Sequence, residues 1–483
     1  MVIDRALLLK ILGLLWLMLA CAMLIPLTYG LCVNDSGVLP LTKSAACVFI
    51  VGSLFYLLNR HVDAQLRSRG AFLLVGLGWF SATVFGALPY YLSGFIASPL
   101  DAWFESVSGF TTTGATILRD IESLPKSLLL WRSLTQFLGG MGIIVLSLAI
   151  LPVLGVGGME LFRAEAPGPT SDKISARVSE TARALWLVYV LFTLLEALLL
   201  WLFGMSPFDA INHAFTTMAT GGFSTKNASI GHYQSAAIEW IVSVFMFLAG
   251  VNFILHYHLI RRREFLMFKD AEFRFYGFMI FISALCIAFS LWGQQYASFH
   301  DSVRLASFQV TAIMSSTGFA SADYLIWGAF AQSLIVLLMV IGGCAGSTGG
   351  GIKCVRAMML VKQGYRELYR MVHPKAVLPL KLGKTQVPQH VIQAIFGFFF
   401  LYILLLGVAS LALTASDVDM VTAFSSVVSA LSNIGPGLGE VGPALNYAGL
   451  PDFAKFVLSA CMIIGRLEIM TVLVLFTTEY WSS

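Results

Sequence analysis

Apolar runs long enough to cross a bilayer recur along this chain, separated by short polar connections. They fall near 6–32, 40–58, 71–96, 128–154, 184–205, 238–260, 275–295, 329–360, 391–414 and 454–478, ten in all. A transmembrane helix needs about 20 apolar residues, so the pattern predicts an all-α polytopic membrane protein. The eighth run is broken in its middle by Gly342-Gly343-Cys344-Ala345-Gly346-Ser347-Thr348-Gly349-Gly350-Gly351. The first run lacks a small-residue cleavage site and further spans follow it, so it reads as a helix and not as a leader.

Beyond the first two helices the pattern repeats four times: apolar span, short segment opening with an aspartate, glycine-bearing loop, apolar span. The four loops read Thr112-Thr113-Gly114, Ala219-Thr220-Gly221, Ser316-Thr317-Gly318 and Asn433-Ile434-Gly435, with glycines 107, 97 and 117 residues apart. This divides the chain into an N-terminal helix pair (1–65) and four pore units at 66–160, 161–262, 263–365 and 366–483, the third holding the glycine-rich break. The segments before the loops open at Asp101, Asp209, Asp301 and Asp417. Each suits a helix of roughly ten or more residues, too short to cross the bilayer at 1.5 Å per residue. Aspartate is a strong N-cap and favours the positive end of a helix dipole. Each short helix is therefore expected to start at the outer surface and aim its carbonyl end at the membrane centre.

Irregular backbone at that depth is tolerated only where it lines a cavity or is buried in protein, so the four loops are expected to converge. Glycine after a β-branched or small residue suits an extended loop with its carbonyls turned to one side. Rings of backbone carbonyls that replace a hydration shell select potassium. The expected ligands are Thr112, Thr113, Gly114, Ala219, Thr220, Gly221, Ser316, Thr317, Gly318, Asn433, Ile434 and Gly435.

Composition agrees: 58% of residues are hydrophobic and only 12% charged, about half the charge of a soluble domain. That excludes an ordinary soluble protein, a disordered chain and a disulfide scaffold. The seven cysteines form no C-x-x-C pair and read as small buried hydrophobes. The net charge of +4 hides an asymmetry. With both termini inside, the segments 59–70, 155–183, 261–274 and 353–390, with Arg5 and Lys10, hold 22 of the 30 Lys and Arg. This is the positive-inside signature. The outer side carries thirteen acids against seven bases. Such an excess reads either as an acidic mouth that concentrates cations or as a plain solvated face.

The stretch Ser108 to Thr116, the loop Ala219 to Ser224 and the run Gly342 to Lys353 resemble the Trk/Ktr/HKT-type potassium transporter superfamily, and within it the TrkH branch of bacterial membrane subunits. The resemblance covers nearly the whole chain. It implies a potassium-channel-like fold of four covalently linked membrane–pore–membrane repeats plus two extra N-terminal helices, placed in the bacterial inner membrane. It further implies K+ as the transported ion, a homodimer, and gating by a cytoplasmic TrkA-like nucleotide-binding ring, with ATP/ADP or NAD bound by that partner. In related plant transporters a serine in place of the first filter glycine goes with sodium passage. Gly114 stands there in this chain, which favours potassium. Ile434 and Pro436 depart from the simplest loop pattern, so the pore is expected to be only pseudo-symmetric.

The middles of the second spans carry small residues at one depth: Gly139-Gly140, Ala249-Gly250, Gly342-Gly343 and Gly465. Close helix packing and a role beneath the filter both remain open for them. In unit three the helix fails, because glycine costs about 1 kcal/mol against alanine at each position. A flexible intramembrane gate is expected there from Gly342, Gly343, Gly346, Gly349, Gly350, Gly351 and Lys353. Gly351-Ile352-Lys353-Cys354 breaks the phosphate-loop pattern and sits in a membrane span, so nucleotide binding is rejected. Arg466 lies deep in an apolar helix, where a charge must be paired or face water. It is expected to project toward the glycine loop and bond its carbonyls, a role the resembling family also gives an arginine. Glu196 and Glu468 are embedded too, and either could carry a coupled proton in a proton- or sodium-coupled symporter, the competing function.

His213, Asn212, Asn252, His256 and His258 show no metal-ligand spacing. No catalytic triad or carboxylate pair is evident, so no enzyme and no nucleic-acid partner is expected. The basic stretch Lys362, Arg366, Arg370, Lys375, Lys381 and Lys384 fits either anionic lipid or the TrkA-like partner.

Overall fold

The computed structural model describes residues 5–62, 68–149, 171–376, 378–383 and 385–482. The expected unit limits at 65/66 and 160/161, and the cytoplasmic residues 155–170, lie outside them. The architecture is all-α. A two-stranded hairpin, Lys381–Leu382 against Thr385–Gln386, is the named sheet among the described residues.

Helices α1 (Arg5–Val33) and α2 (Val38–Leu58) form an antiparallel pair. Then come four groups of long helix, short helix and second helix. The first is α3 (Ser68–Leu92), α4 (Pro99–Phe110) and α5 (Lys126–Ala149). The second is α6 (Ser171–Leu202), α7 (Pro207–Met218) and α8 (Ala236–Ala249), continued by α9 (Phe253–Tyr257). The third is α10 (Ala271–Leu291), α11 (Phe299–Met314) and α12 (Ala329–Val340), followed after a loop by α13 (Cys354–Val372). The fourth is α14 (Gln389–Thr414), α15 (Met420–Ser432) and α16 (Asp452–Arg466), continued by α17 (Ile469–Leu473).

Six of these helices are long and apolar enough to cross a membrane, and eight spans result if each bent pair counts as one. The other two of the ten expected spans correspond to α5 and to the α12–loop–α13 segment. The outer faces of the long helices expose large apolar side chains, such as Leu58 (73%) and Leu411 (71%). That is a surface suited to lipid and not to water.

The sequence places one break among the second spans, and the described residues show three. The backbone turns by 104° between α8 and the helix Phe253–Arg262, and by 110° between α16 and Ile469–Phe476. The first turn falls at Gly250-Val251-Asn252, where the Asn252 side chain caps the following helix by accepting from the Ile254 N–H at 2.9 Å. The second falls at Leu467-Glu468, with Glu468 at φ +61. Helix α5 runs unbroken through Ala149.

The short helices also start differently from expectation. Serines stand before three of them at Ser98, Ser206 and Ser298, the first two accepting from the Asp101 and Asp209 N–H groups and Ser298 making no side-chain cap, with Asp101, Asp209 and Asp301 inside the first turn. Proline follows directly at Pro99 and Pro207, where its missing N–H costs nothing. The fourth is capped by Asp419, whose carboxylate accepts from the Val421 and Thr422 N–H groups; Asp417 is a left-handed residue before it, at φ +62. The aspartates still favour the positive helix end, from a position three residues further on.

The four short helices form the centre of the molecule. Residues 104–110 of α4 and 425–432 of α15 are buried throughout. Small residues on the second helices permit this closeness. A Cβ on Gly139 would overlap the Phe110 carbonyl oxygen, and one on Gly465 the Leu431 carbonyl oxygen. At those two positions the close-packing role of the small residues is the one the geometry requires.

Candidate ion pathway

Each short helix ends in the same backbone motif. A left-handed residue follows the last turn: Thr112 (φ +51), Thr220 (+54), Ser316 (+59) and Asn433 (+53). The next N–H then reaches back five residues: Thr113 to Ser108 O (2.9 Å), Gly221 to Thr216 O (2.8 Å), Thr317 to Ala312 O (2.8 Å) and Ile434 to Ser429 O (3.0 Å). This is the six-to-one bond of a Schellman cap. One residue later comes a glycine at positive φ: Gly114 (+85), Gly222 (+74), Gly318 (+76) and Gly435 (+106).

The second loop is thereby shifted by one residue from the sequence alignment. Thr220, Gly221 and Gly222 are the counterparts of Thr112, Thr113 and Gly114; Ala219, at φ −73, caps the helix before them. The Gly221-Gly222 pair hid the register, because either glycine fits a text pattern and only backbone torsion tells them apart.

The glycines interlock in a closed cycle. A Cβ on Gly114 would overlap the carbonyl oxygen of Gly221. One on Gly222 would overlap that of Thr317, one on Gly318 that of Ile434, and one on Gly435 would crowd that of Thr113. Each loop thus leans on the next carbonyl, around four loops and back to the first. All four glycines line one polar vestibule of about 120 Å³. Hydroxyls reinforce the ring: Thr111 with Thr113 at 2.8 Å, Ser315 with Thr317 at 2.7 Å, and the Asn433 amide donating to the Thr113 hydroxyl at 3.0 Å.

The vestibule is not acidic. Its lining includes Arg119, Arg132 and Lys226 but no carboxylate. Nearby acids are tied to other groups. Asp101 holds Lys455 at 2.7 Å, Glu105 holds Arg132 at 2.6 Å, and Glu122 lies 3.9 Å from Lys226. The excess of acids on the expected outer side therefore does not become an acidic lining here.

On the other side of the loops lies the glycine-rich segment 341–353. It is mostly buried and fixed by bonds at many points, contrary to the flexible loop expected from its glycines. Gly342 N–H donates to Ile352 O at 2.8 Å, closing its base. Cys344 N–H donates to Gly250 O at 2.8 Å, and Phe253 N–H to Gly346 O at 3.1 Å, which ties the segment to the bend after α8. Glu272, at the start of α10, accepts with a single oxygen from Ala345 N–H (2.8 Å) and Val355 N–H (2.9 Å). The segment reaches three of the short helices: Thr348 donates to Met218 O at 3.0 Å, Gly350 N–H to the Ser316 hydroxyl at 2.6 Å, and Gly350 abuts Ser432. Lys353 donates its ammonium to Gly349 O.

Arg466 is 2% exposed. It donates to Thr348 O, in the glycine-rich segment, at 2.7 Å and to Gly139 O, on α5, at 3.3 Å. Glu468 pairs instead with Arg356, at 2.6 Å. The segment and Arg466 together meet the carbonyl ends of the short helices, where the helix dipoles are negative. Among the described residues no cluster of three His, Cys, Asp or Glu side chains could hold a metal. The vestibule is lined by the four loop glycines together with polar and basic side chains such as Thr116, Arg119, Arg132, Asn227 and Asn446.

A family profile named TrkH, described as a cation transport protein, matches residues 40–483. The chain belongs to the TrkH family. It is 44% identical over 478 residues to the Trk system potassium uptake protein TrkH of Halomonas elongata, covering 98% of both chains. Its identity to the Escherichia coli K12 protein of the same name is also 44%, again with 98% of each chain covered. The crystal structure of the potassium transporter TrkH from Vibrio parahaemolyticus superposes with a TM-score of 0.92 at 40% identity, covering 99% of this chain and 100% of that one. The fold is thus that of a TrkH-family membrane protein. Sequence reasoning missed Gln136, Glu105 with Arg132, and Glu272. A polar side chain inside an apolar run was the available signal for Arg132 and Gln136 only, and the partners lie 27 to 87 residues away.

Proposed function

We propose that this protein carries potassium into a bacterial cell across the inner membrane, through the ring of four loops. The observation that carries the reading is the closed cycle of positive-φ glycines, each against the next loop's carbonyl, around one vestibule. Backbone oxygens held in a ring can replace the water around an ion without the ring having to rearrange. The ion ligands are the carbonyls and hydroxyls of Thr112, Thr113 and Gly114; Thr220, Gly221 and Gly222; Ser316, Thr317 and Gly318; and Asn433, Ile434 and Gly435. Unit limits near 66–160, 161–262, 263–365 and 366–483 follow from the same repeat.

Segment 342–351 with Arg466 acts as the gate. It blocks the path below the loops and places a positive charge where a cation would emerge. A cytoplasmic TrkA-like nucleotide-binding ring, acting on a homodimer, supplies the force that withdraws it. The basic segment around Lys362 and Arg370 suits that contact, Arg366 being buried, and the exposed Tyr365, Leu368 and Met371 beside it add apolar area.

A second reading, coupled transport, is favoured by Glu196. It is 0% exposed, neither oxygen has a hydrogen bond, and the nearby Thr217 hydroxyl is spent on His213 O at 2.8 Å. A carboxyl so placed suits a proton carrier. The test is tracer uptake into liposomes with K+, Rb+, Na+ and Li+ compared. Potassium and rubidium well ahead of sodium and lithium, without dependence on a pH gradient, is the expected result. Equal sodium and potassium rates would refute the filter, and flux locked to the pH gradient would favour the second reading.

A further inference from the structure

The second loop differs from the other three in lacking a side chain at one position. After the left-handed residue come Thr113, Thr317 and Ile434 in three of them, but Gly221 in the second. The three nearest neighbours of a Cβ on Gly221 would all belong to the carboxamide of Gln136, from α5. The space that the other loops fill with their own side chain is filled here by a neighbouring helix. That amide is 0% exposed and bonded at both ends. Its Nε2 donates to Gly221 O at 2.7 Å, and its Oε1 accepts from Phe223 N–H at 3.1 Å.

One turn earlier on the same face of α5, Arg132 continues the attachment. It donates to Ser224 O at 2.9 Å, its guanidinium carbon lies 3.5 Å from the centre of the Phe223 ring, and it pairs with Glu105 at 2.6 Å. Glu105 accepts from the Thr116 hydroxyl and the Ile117 N–H, both at 3.0 Å. Helix α5 therefore holds loop two at residues 221, 223 and 224, and through Glu105 holds loop one at 116 and 117. The residues matching Glu105 in the other short helices are His213, Gln309 and Ser426, seven before each left-handed residue. They bond to the Ser224 hydroxyl (2.9 Å), Ala322 O (3.0 Å) and Ala423 O (3.1 Å) respectively. The link from one loop through a second helix to the next is found at the first seam.

We propose that Gln136 is a specificity-determining positioning residue: its amide stands in for the side chain missing at Gly221 and fixes the direction of the Gly221 carbonyl. That oxygen is the one against which Gly114 is pressed, so its direction also sets the spacing of loops one and two. A glycine without this restraint turns freely. A carbonyl that turns weakens the ring's hold on a dehydrated potassium ion, and discrimination against sodium falls. The inference rests on the filter assigned above.

The experiment measures the K+ to Na+ uptake ratio in liposomes carrying equal amounts of folded protein. Gln136→Ala is expected to lower the ratio about tenfold, the scale of one lost filter hydrogen bond. Gln136→Met keeps the volume, removes donor and acceptor, and should lower it similarly if the alanine variant fails to fold. Adding Gly221→Thr to Gln136→Ala returns a side chain to the loop itself and should restore most of the ratio. An unchanged ratio in both single variants overturns the proposal, and a ratio that falls but is not rescued by Gly221→Thr overturns the stand-in role. Gly114→Ser is measured alongside. If it alters the ratio while the Gln136 variants do not, this inference fails and the filter stands; if none alters it, the filter assignment itself fails.

Discussion

Gly114 combines two constraints that no other residue type meets together. Its φ of +85 is a region L side chains avoid, and its missing Cβ leaves room for the Gly221 carbonyl. Serine there must displace one loop or the other. Gly114→Ser is expected to lower the potassium preference by about an order of magnitude, corresponding to roughly 1.4 kcal/mol of lost discrimination, while the protein still reaches the membrane. Competition of sodium with tracer rubidium measures it directly. Arg466 is the opposite kind of residue, costly in the membrane and kept there by its carbonyl partners. Arg466→Ala removes the bonds to Thr348 and Gly139, so basal flux without any partner should rise. Flux equal to that of the parent in vesicles would remove Arg466 from the gate.

At the scale of elements, the long helices and the four loops were legible because each rests on local pattern: apolar length for the spans, and glycine after a β-branched or small residue for the loops. The breaks were legible only where glycines pile up, at 342–351. The bends after Ala249 and after Arg466 carry one glycine each, Gly250 and Gly465, and are held by partners far along the chain, so their sequence reads as continuous helix. The rigidity of segment 341–353 was hidden for the same reason. Its glycines permit a loop, but distant groups decide whether that loop is loose, and Glu272 is one of them. Glu272→Ala removes the acceptor shared by Ala345 and Val355, and the segment should loosen at both ends. Cys344 and Cys354 are buried there, so their labelling by a small maleimide should quicken severalfold, read by peptide mass to separate them from the buried Cys461 and the exposed Cys21, Cys32, Cys47 and Cys286. Glu272→Gln keeps the same oxygen as an acceptor and should label at close to the parental rate. Equal, slow labelling in the alanine variant would show that the helix-end contacts alone hold the segment.

For the molecule as a whole, charge and pore are arranged differently from what residue counts suggested. An outer side with thirteen acids and seven bases looks attractive to cations. Yet the groups facing the vestibule include Arg119 and Lys226, while Asp101 and Glu105 are held by Lys455 and Arg132. On the proposed pathway an entering potassium ion would meet positive charge before the carbonyl ring, and its capture would depend on the ring and not on attraction at the mouth. Arg119 is exposed, so its field is screened over about 10 Å at 0.1 M salt and reaches further at lower ionic strength. Arg119→Gln is thus expected to lower the apparent KM for potassium by about two- to threefold in low salt. At physiological salt the two proteins should converge, and the maximal rate should stay the same in both conditions because the ring is untouched. Uptake measured across a potassium series at two ionic strengths separates the effects. A KM that rises on removing Arg119 would mean that the mouth gathers cations through carboxylates after all, with Arg119 serving to hold them in place.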